Sequence, residues 1–140
     1  MIKMLWPVIL VVLSNVFYNI TTKSTPDDVN AFLSLSITYI TGAIFSFLIF
    51  VFSGHKNIAE EFTKINWTSF VLGLAIVGLE VGYIFLYRAG WKISTGSLVA
   101  NIALAVVLIF VGLILYKEKI SPKQIAGIVL CVAGLVLITK

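Results

Sequence analysis

WTSFVLGLAIVGLEVGYIFLY, Trp67–Tyr87, is a run of apolar and small residues broken by a single charge, Glu80. A run of this length crosses a hydrocarbon core of about 30 Å when helical. A carboxylate near the centre of such a helix costs roughly 3 kcal/mol on insertion scales. It needs a partner, a water-filled cavity or a task, and an ionisable residue at that depth is read first as a functional site. The alternative is a structural carboxylate, hydrogen-bonded by Tyr83 or by a polar group on a neighbouring helix.

Outward from this run the same character holds. The 140 residues are 60% hydrophobic and 11% charged. That balance belongs to polytopic membrane proteins, not to soluble domains. The net charge of +4 is scattered over breaks and ends with no basic face, so a nucleic-acid partner is not expected. The expected location is the cell membrane, inner or plasma, with lipid as the constant partner. Cys131 lies in an apolar run and is read as a small packing residue.

Five apolar runs emerge, at about 4–22, 26–52, 67–89, 95–116 and 122–139. Together they predict an all-α membrane protein, one transmembrane domain of five helices with its ends on opposite sides. The first run follows Lys3 like a signal peptide, but no small-x-small cleavage site follows and it is read as an uncleaved span. Thr25-Pro26-Asp27-Asp28 predicts the start of the second: Thr as cap, Pro at the first helical position, acids in the first turn. Gly90 is expected to close the third. Ser121-Pro122-Lys123-Gln124 has the spacing of a capping box for the fifth. The longest break, SGHKNIAEEFTKIN (Ser53–Asn66), predicts either a plain polar loop or a short interfacial helix over 57–65. In the helix, Ile58, Phe62 and Ile65 share a face. His55 in this break is read as a loop residue, and no metal-ligating set accompanies it.

The C-terminal stretches YIFLYRAG (Tyr83–Gly90), TGSLVANIALAVVLIFVGLILYKE (Thr95–Glu118) and KISPKQIAGIVLCVAGLVLI (Lys119–Ile138) carry a recognisable pattern. Glu118 after a long apolar helix, then Ser121-Pro122, Gln124, Gly127 and Gly134, resembles the end of an EamA-type repeat of the drug/metabolite transporter superfamily. Typical members join two five-span repeats in opposite orientation. The resemblance implies that this chain is one EamA-type repeat, completed by dimerisation. Glu80 lies outside the motif, so its role rests on physics alone.

The charge pattern bears on how such a dimer would form. Lys3, Lys56, Lys64, Lys117, Lys119 and Lys123 fall on one side of the expected topology, and Lys23, Arg88, Lys92 and Lys140 on the other. Six against four is a weak positive-inside bias. It permits insertion in both orientations and an antiparallel homodimer, which would rebuild the inverted-repeat architecture with a midplane site. A parallel homodimer or a heteromeric partner stays open.

The candidate substrate and proton site gathers the polar residues of the spans. Tyr83 and Tyr87 share the face of Glu80, while Gly78 and Gly82 lie on the opposite, tight-packing face. Arg88 is expected to snorkel to the interface. On the first span Asn15, Tyr18 and Asn19 line one face, either as substrate ligands or as helix–helix glue. On the fourth, Asn101 shares a face with Ser97. The hydroxyls of Ser34, Thr38 and Thr41 on the second are expected to bond their own helix. Trp6, Trp67 and Trp91 are read as interfacial anchors. No catalytic set, P-loop, metal centre or cofactor signature is present, so the chain is not expected to be an enzyme.

The reading is a secondary transporter. It would export a small organic metabolite or amphiphilic cation by proton-coupled alternating access in a dimer. Glu80 would hold either a proton or a cationic substrate, with Tyr83, Tyr87 and Tyr18 available to stack on a cation. The alternatives are an exporter of amino acids or other neutral metabolites, suited to Asn15, Asn19 and Asn101, and a non-transporting membrane subunit.

Overall fold

Apolar runs in a solvent without hydrogen-bonding capacity must satisfy their backbone internally, and helices do so within one segment. The computed structural model describes residues 2–54, 57–119 and 121–139, and among them every regular element is a helix. These are α1 (Ile2–Lys23), α2 (Ala31–Phe52), α3 (Ile58–Lys64), α4 (Trp67–Arg88), α5 (Ile93–Ile114) and α6 (Pro122–Thr139). α1, α2, α4 and α5 are long and apolar enough to cross a membrane, and α6 is a shorter apolar helix. His55 and Lys56 lie outside the described residues.

The expected start of the second helix is displaced. It opens at Ala31, not at Thr25-Pro26. The reason is local competition for caps. Asn30 Oδ1 accepts from the backbone N–H groups of Phe32 at 2.9 Å and Leu33 at 3.1 Å. Thr25 instead finishes α1, its hydroxyl donating to the Thr21 carbonyl at 3.2 Å. The Pro26 and Val29 carbonyls are taken by Arg88, which holds the intervening residues in a turn.

Other ends follow the sequence signals. Gly90 adopts φ +91 just beyond α4, a conformation that costs a side chain but not glycine. Ser121 and Gln124 form the reciprocal capping box. The Gln124 carboxamide accepts from the Ser121 N–H at 2.7 Å, and the Ser121 hydroxyl accepts from the Gln124 N–H at 3.3 Å. Asn57 caps α3 by accepting from the Glu60 N–H at 3.4 Å. On that exposed helix Lys64 donates to Glu61 at 2.7 Å and pairs with Glu60 at 3.3 Å. These carboxylates, Glu61 first, hold its ammonium above the ordinary lysine range.

α5 runs from Ile93 to Ile114, two residues earlier than the expected 95–116. Its C-terminal reversal depends on Lys117, which takes the left-handed φ of 52. The turn lets the Glu118 N–H donate to the Gly112 carbonyl at 3.0 Å.

The chain divides into two units, Thr21–Arg88 and Met1–Ile20 with Ala89–Lys140. In the first, α2 packs on α4 around Ala31, Leu35 and Ile84, with Tyr39 and Val81 against them. In the second, α5 packs on α6. Large apolar side chains otherwise point outward, as with Phe70 at 76% and Leu137 at 79% exposed. A water-soluble domain would bury them; here lipid is the solvent they face. Thr38 and Thr41 donate to the Ser34 and Ile37 carbonyls one turn back, so these α2 hydroxyls are satisfied without a neighbour.

Candidate functional site

The site residues expected from the sequence fall into two groups, one in each unit. Glu80, Tyr83 and Tyr87 belong to the α2–α4 unit; Asn15, Tyr18, Asn19 and Asn101 belong to the other.

Glu80 is half-buried on α4. Its neighbour is Tyr39 of α2, close enough for the phenol and the carboxylate to act on one another electrostatically. The Tyr39 hydroxyl is buried and does not reach the distance and angle of a formed hydrogen bond. Among the described residues no ion pair engages Glu80; those present join Lys64 to Glu60 and Glu61, and Arg88 to Asp27. Glu80 thus sits beside a phenol in an apolar helix pair, not in a locked salt bridge. Tyr39 escaped the sequence reading because it lies 41 positions away. Only the register of α2 on α4 selects it.

Tyr83 and Tyr87 are neighbours along α4, with ring centroids 6.1 Å apart and the rings tilted by 39°. Tyr87 is buried, and the Lys23 ammonium lies 5.7 Å from its ring centroid. The same ammonium donates to the Tyr87 carbonyl at 3.2 Å. One face expected to stack on a foreign cation therefore already carries an internal one. Arg88 folds onto the chain and donates to the Pro26 carbonyl at 3.0 Å and the Val29 carbonyl at 2.6 Å.

In the other unit, Asn15, Asn19 and Asn101 come together. With Ser94 and Ser97 they supply the polar lining of an otherwise apolar groove of about 640 Å³ between α1 and α5. Asn19, buried, donates to the Asn15 carbonyl at 2.8 Å and to its side-chain oxygen. Asn101 donates to the Ser97 carbonyl at 2.8 Å and its hydroxyl at 3.2 Å. Asn19 and Asn101 thus spend side-chain donors on their own helices, and Asn15 accepts through its side-chain oxygen. Tyr18 is half-buried and does not line this groove.

A second groove of about 580 Å³ lies between α5 and α6, with Asn101, Glu118, Gln124 and Cys131 on its wall. Glu118, the carboxylate of the C-terminal motif, folds back over Gly112. A Cβ there would lie 2.7 Å from Glu118 Oε2, so the glycine makes room for the carboxylate. Gly78 and Gly82, expected on a tight-packing face, behave differently: a Cβ at either meets nothing within 4 Å among the described residues, and the same holds at Gly127 and Gly134.

The sequence profile of the EamA-like transporter family matches residues 2–140. No curated protein and no solved structure shows significant similarity to the chain.

Proposed function

The chain belongs to the EamA-like transporter family as one EamA-type repeat, a multi-pass membrane domain of a family of transporters rather than enzymes, and from that premise we propose that it is a proton-coupled secondary transporter. It exports a small organic metabolite or amphiphilic cation by alternating access in a homodimer of the cell membrane. The observation that carries this reading is Glu80: half-buried beside Tyr39 on an apolar helix pair, with no ion pair among the described residues. A carboxylate so placed can be occupied by a proton or by a cation but not by both at once. That mutual exclusion is the simplest antiport device. Tyr83 and the Asn15–Asn19–Asn101 groove serve substrate recognition in this scheme. Tyr87 acts with Lys23 as part of the wall.

The experiment is transport by the purified chain in liposomes under a proton gradient, with a panel of organic cations and Glu80→Gln alongside. Gradient-driven uptake by wild type and its loss in the variant support the reading. Full proton-driven transport by Glu80→Gln removes Glu80 from coupling. Absence of transport by the wild-type chain alone favours the non-transporting subunit.

A second reading has its own observation. The α1–α5 groove is lined by amides and hydroxyls without a charge, which suits a neutral or zwitterionic metabolite such as an amino acid. The same panel separates the two, because this substrate would be carried by Glu80→Gln and lost on Asn101→Leu.

The homodimer is proposed to be antiparallel. Its supports are the single repeat, the weak positive-inside bias and the bare faces of Gly78 and Gly82.

A further inference from the structure

One pocket shares Tyr87 and Lys23 with the wall described above but does not include Glu80. It is a partly open space of about 300 Å³ within the α2–α4 unit, at the C-terminal ends of α1 and α4, and its wall is mostly polar. Lys23, Arg88, Asp27, Thr22 and Tyr87 contribute to it. Two cations converge here, and neither is spent. Lys23 uses one of its three N–H donors on the Tyr87 carbonyl. Arg88 commits Nη2 to the Pro26 and Val29 carbonyls. Its Nε is buried with no hydrogen-bond partner and stands 3.8 Å from Asp27 Oδ1, beyond hydrogen-bonding distance.

A buried guanidinium donor without a partner is costly, and its natural complement is an oxygen anion. The planar fork of arginine beside the ammonium of lysine suits a tetrahedral phosphate better than a single carbonyl. Two features oppose an anion. The α4 C-terminus brings partial negative charge, which Lys23 offsets at the Tyr87 carbonyl. Asp27 brings a full charge, but its side chain is 85% exposed and therefore well screened. The pocket also lies at the ends of two helices long and apolar enough to cross a membrane, where a spanning helix meets phospholipid headgroups.

We infer that this pocket binds a phosphate-type oxyanion through Lys23 and Arg88, with a phospholipid headgroup and free inorganic phosphate as the two sources of that chemistry. The site does not use Glu80, and the inference does not depend on the transport reading.

The test measures thermal unfolding of the purified full chain in phosphate-free detergent. Phosphatidylglycerol, diacylglycerol with the same acyl chains, or inorganic phosphate is titrated in. A site filled by lipid gives stabilisation by phosphatidylglycerol and none by diacylglycerol. A site filled by the free ion gives stabilisation by phosphate itself. Lys23→Gln, which can still donate to the Tyr87 carbonyl, should weaken either response by roughly tenfold, the usual effect of losing one charge-assisted hydrogen bond. Asp27→Asn should tighten it, because the opposing charge is gone. A purely structural role for the cluster predicts the reverse sign for Asp27→Asn, since Arg88 would lose its ion partner. Equal stabilisation by phosphatidylglycerol and diacylglycerol with no effect of phosphate overturns the inference. So does a phosphate response unchanged in both variants. If Lys23→Gln fails to fold, the Asp27→Asn arm still decides.

Discussion

Glu80 is the residue on which transport should depend, and its substitution separates chemistry from architecture. Glu80→Gln mimics the protonated carboxyl permanently, and a neutral amide is easier to hold in a bilayer than a charge. Expression and thermal stability are expected to survive, while proton release on substrate addition and gradient-driven transport vanish. Retention of both by the Gln variant would show a structural carboxylate. Tyr39→Phe tests the pairing across α2 and α4. It keeps the ring that packs on Ala31, Leu35 and Ile84 and removes only the hydroxyl beside Glu80. Stability should hold within about 1 kcal/mol, the ordinary range for one lost polar contact. The pH profile of transport should move, and an unchanged profile would separate Tyr39 from the proton. Glu80 was legible in the sequence because a lone charge in an apolar run is expensive wherever the helix packs. Tyr39 was not, and neither was the lysine on Tyr87, because partners 41 and 64 positions away are chosen by helix register and turn geometry.

At the scale of the elements, helix ends show what local chemistry does and does not decide. Ser121 and Gln124 cap each other as their spacing predicts, since both partners lie within one turn. Thr25-Pro26 carries an equally good start signal and loses to Asn30, because Arg88 claims the carbonyls between them. Asn30→Ala should accordingly cost about 1 kcal/mol of helix stability, whereas Thr25→Ala should cost less. Denaturant unfolding in mixed micelles measures both, and an equal or reversed order would return the cap to Thr25. Gly90 makes a stronger demand. At φ +91 any side chain is strained, so Gly90→Ala is expected to destabilise by about 1–2 kcal/mol although nothing crowds the position. Gly112 is the opposite case. A methyl there meets only the movable carboxylate of Glu118, so Gly112→Ala should displace that side chain and leave the helix intact.

For the whole molecule, the helical membrane fold and the family were legible because composition, run length and the C-terminal motif all point the same way. The division into two units was not legible, because hydrophobic periodicity cannot rank neighbours when nearly every face is apolar. The geometry of the proposed dimer belongs to this scale. In a Cys131→Ser background, cysteines placed at Lys3 and at Lys140 should each be labelled from both sides of the membrane in intact cells. One-sided labelling at each would exclude dual insertion. Gly82→Leu should weaken self-association without unfolding the protomer, since the added side chain has free space within the chain. An unaltered dimer would move the interface elsewhere.

α2, α4 and α5 have equal reach. Each has 22 residues, so each is about 33 Å long. Each exceeds a hydrocarbon core of about 30 Å when it stands upright: the helices must tilt, or the acyl chains beside them must stretch. Either adjustment costs fractions of a kcal/mol per ångström of mismatch. Bilayer thickness thereby becomes a variable that acts on the fold. In vesicles of graded acyl length the thermal midpoint should peak in thicker membranes and decline as the chains shorten. A protein so tuned would be sorted toward thick membranes by its own hydrophobic span.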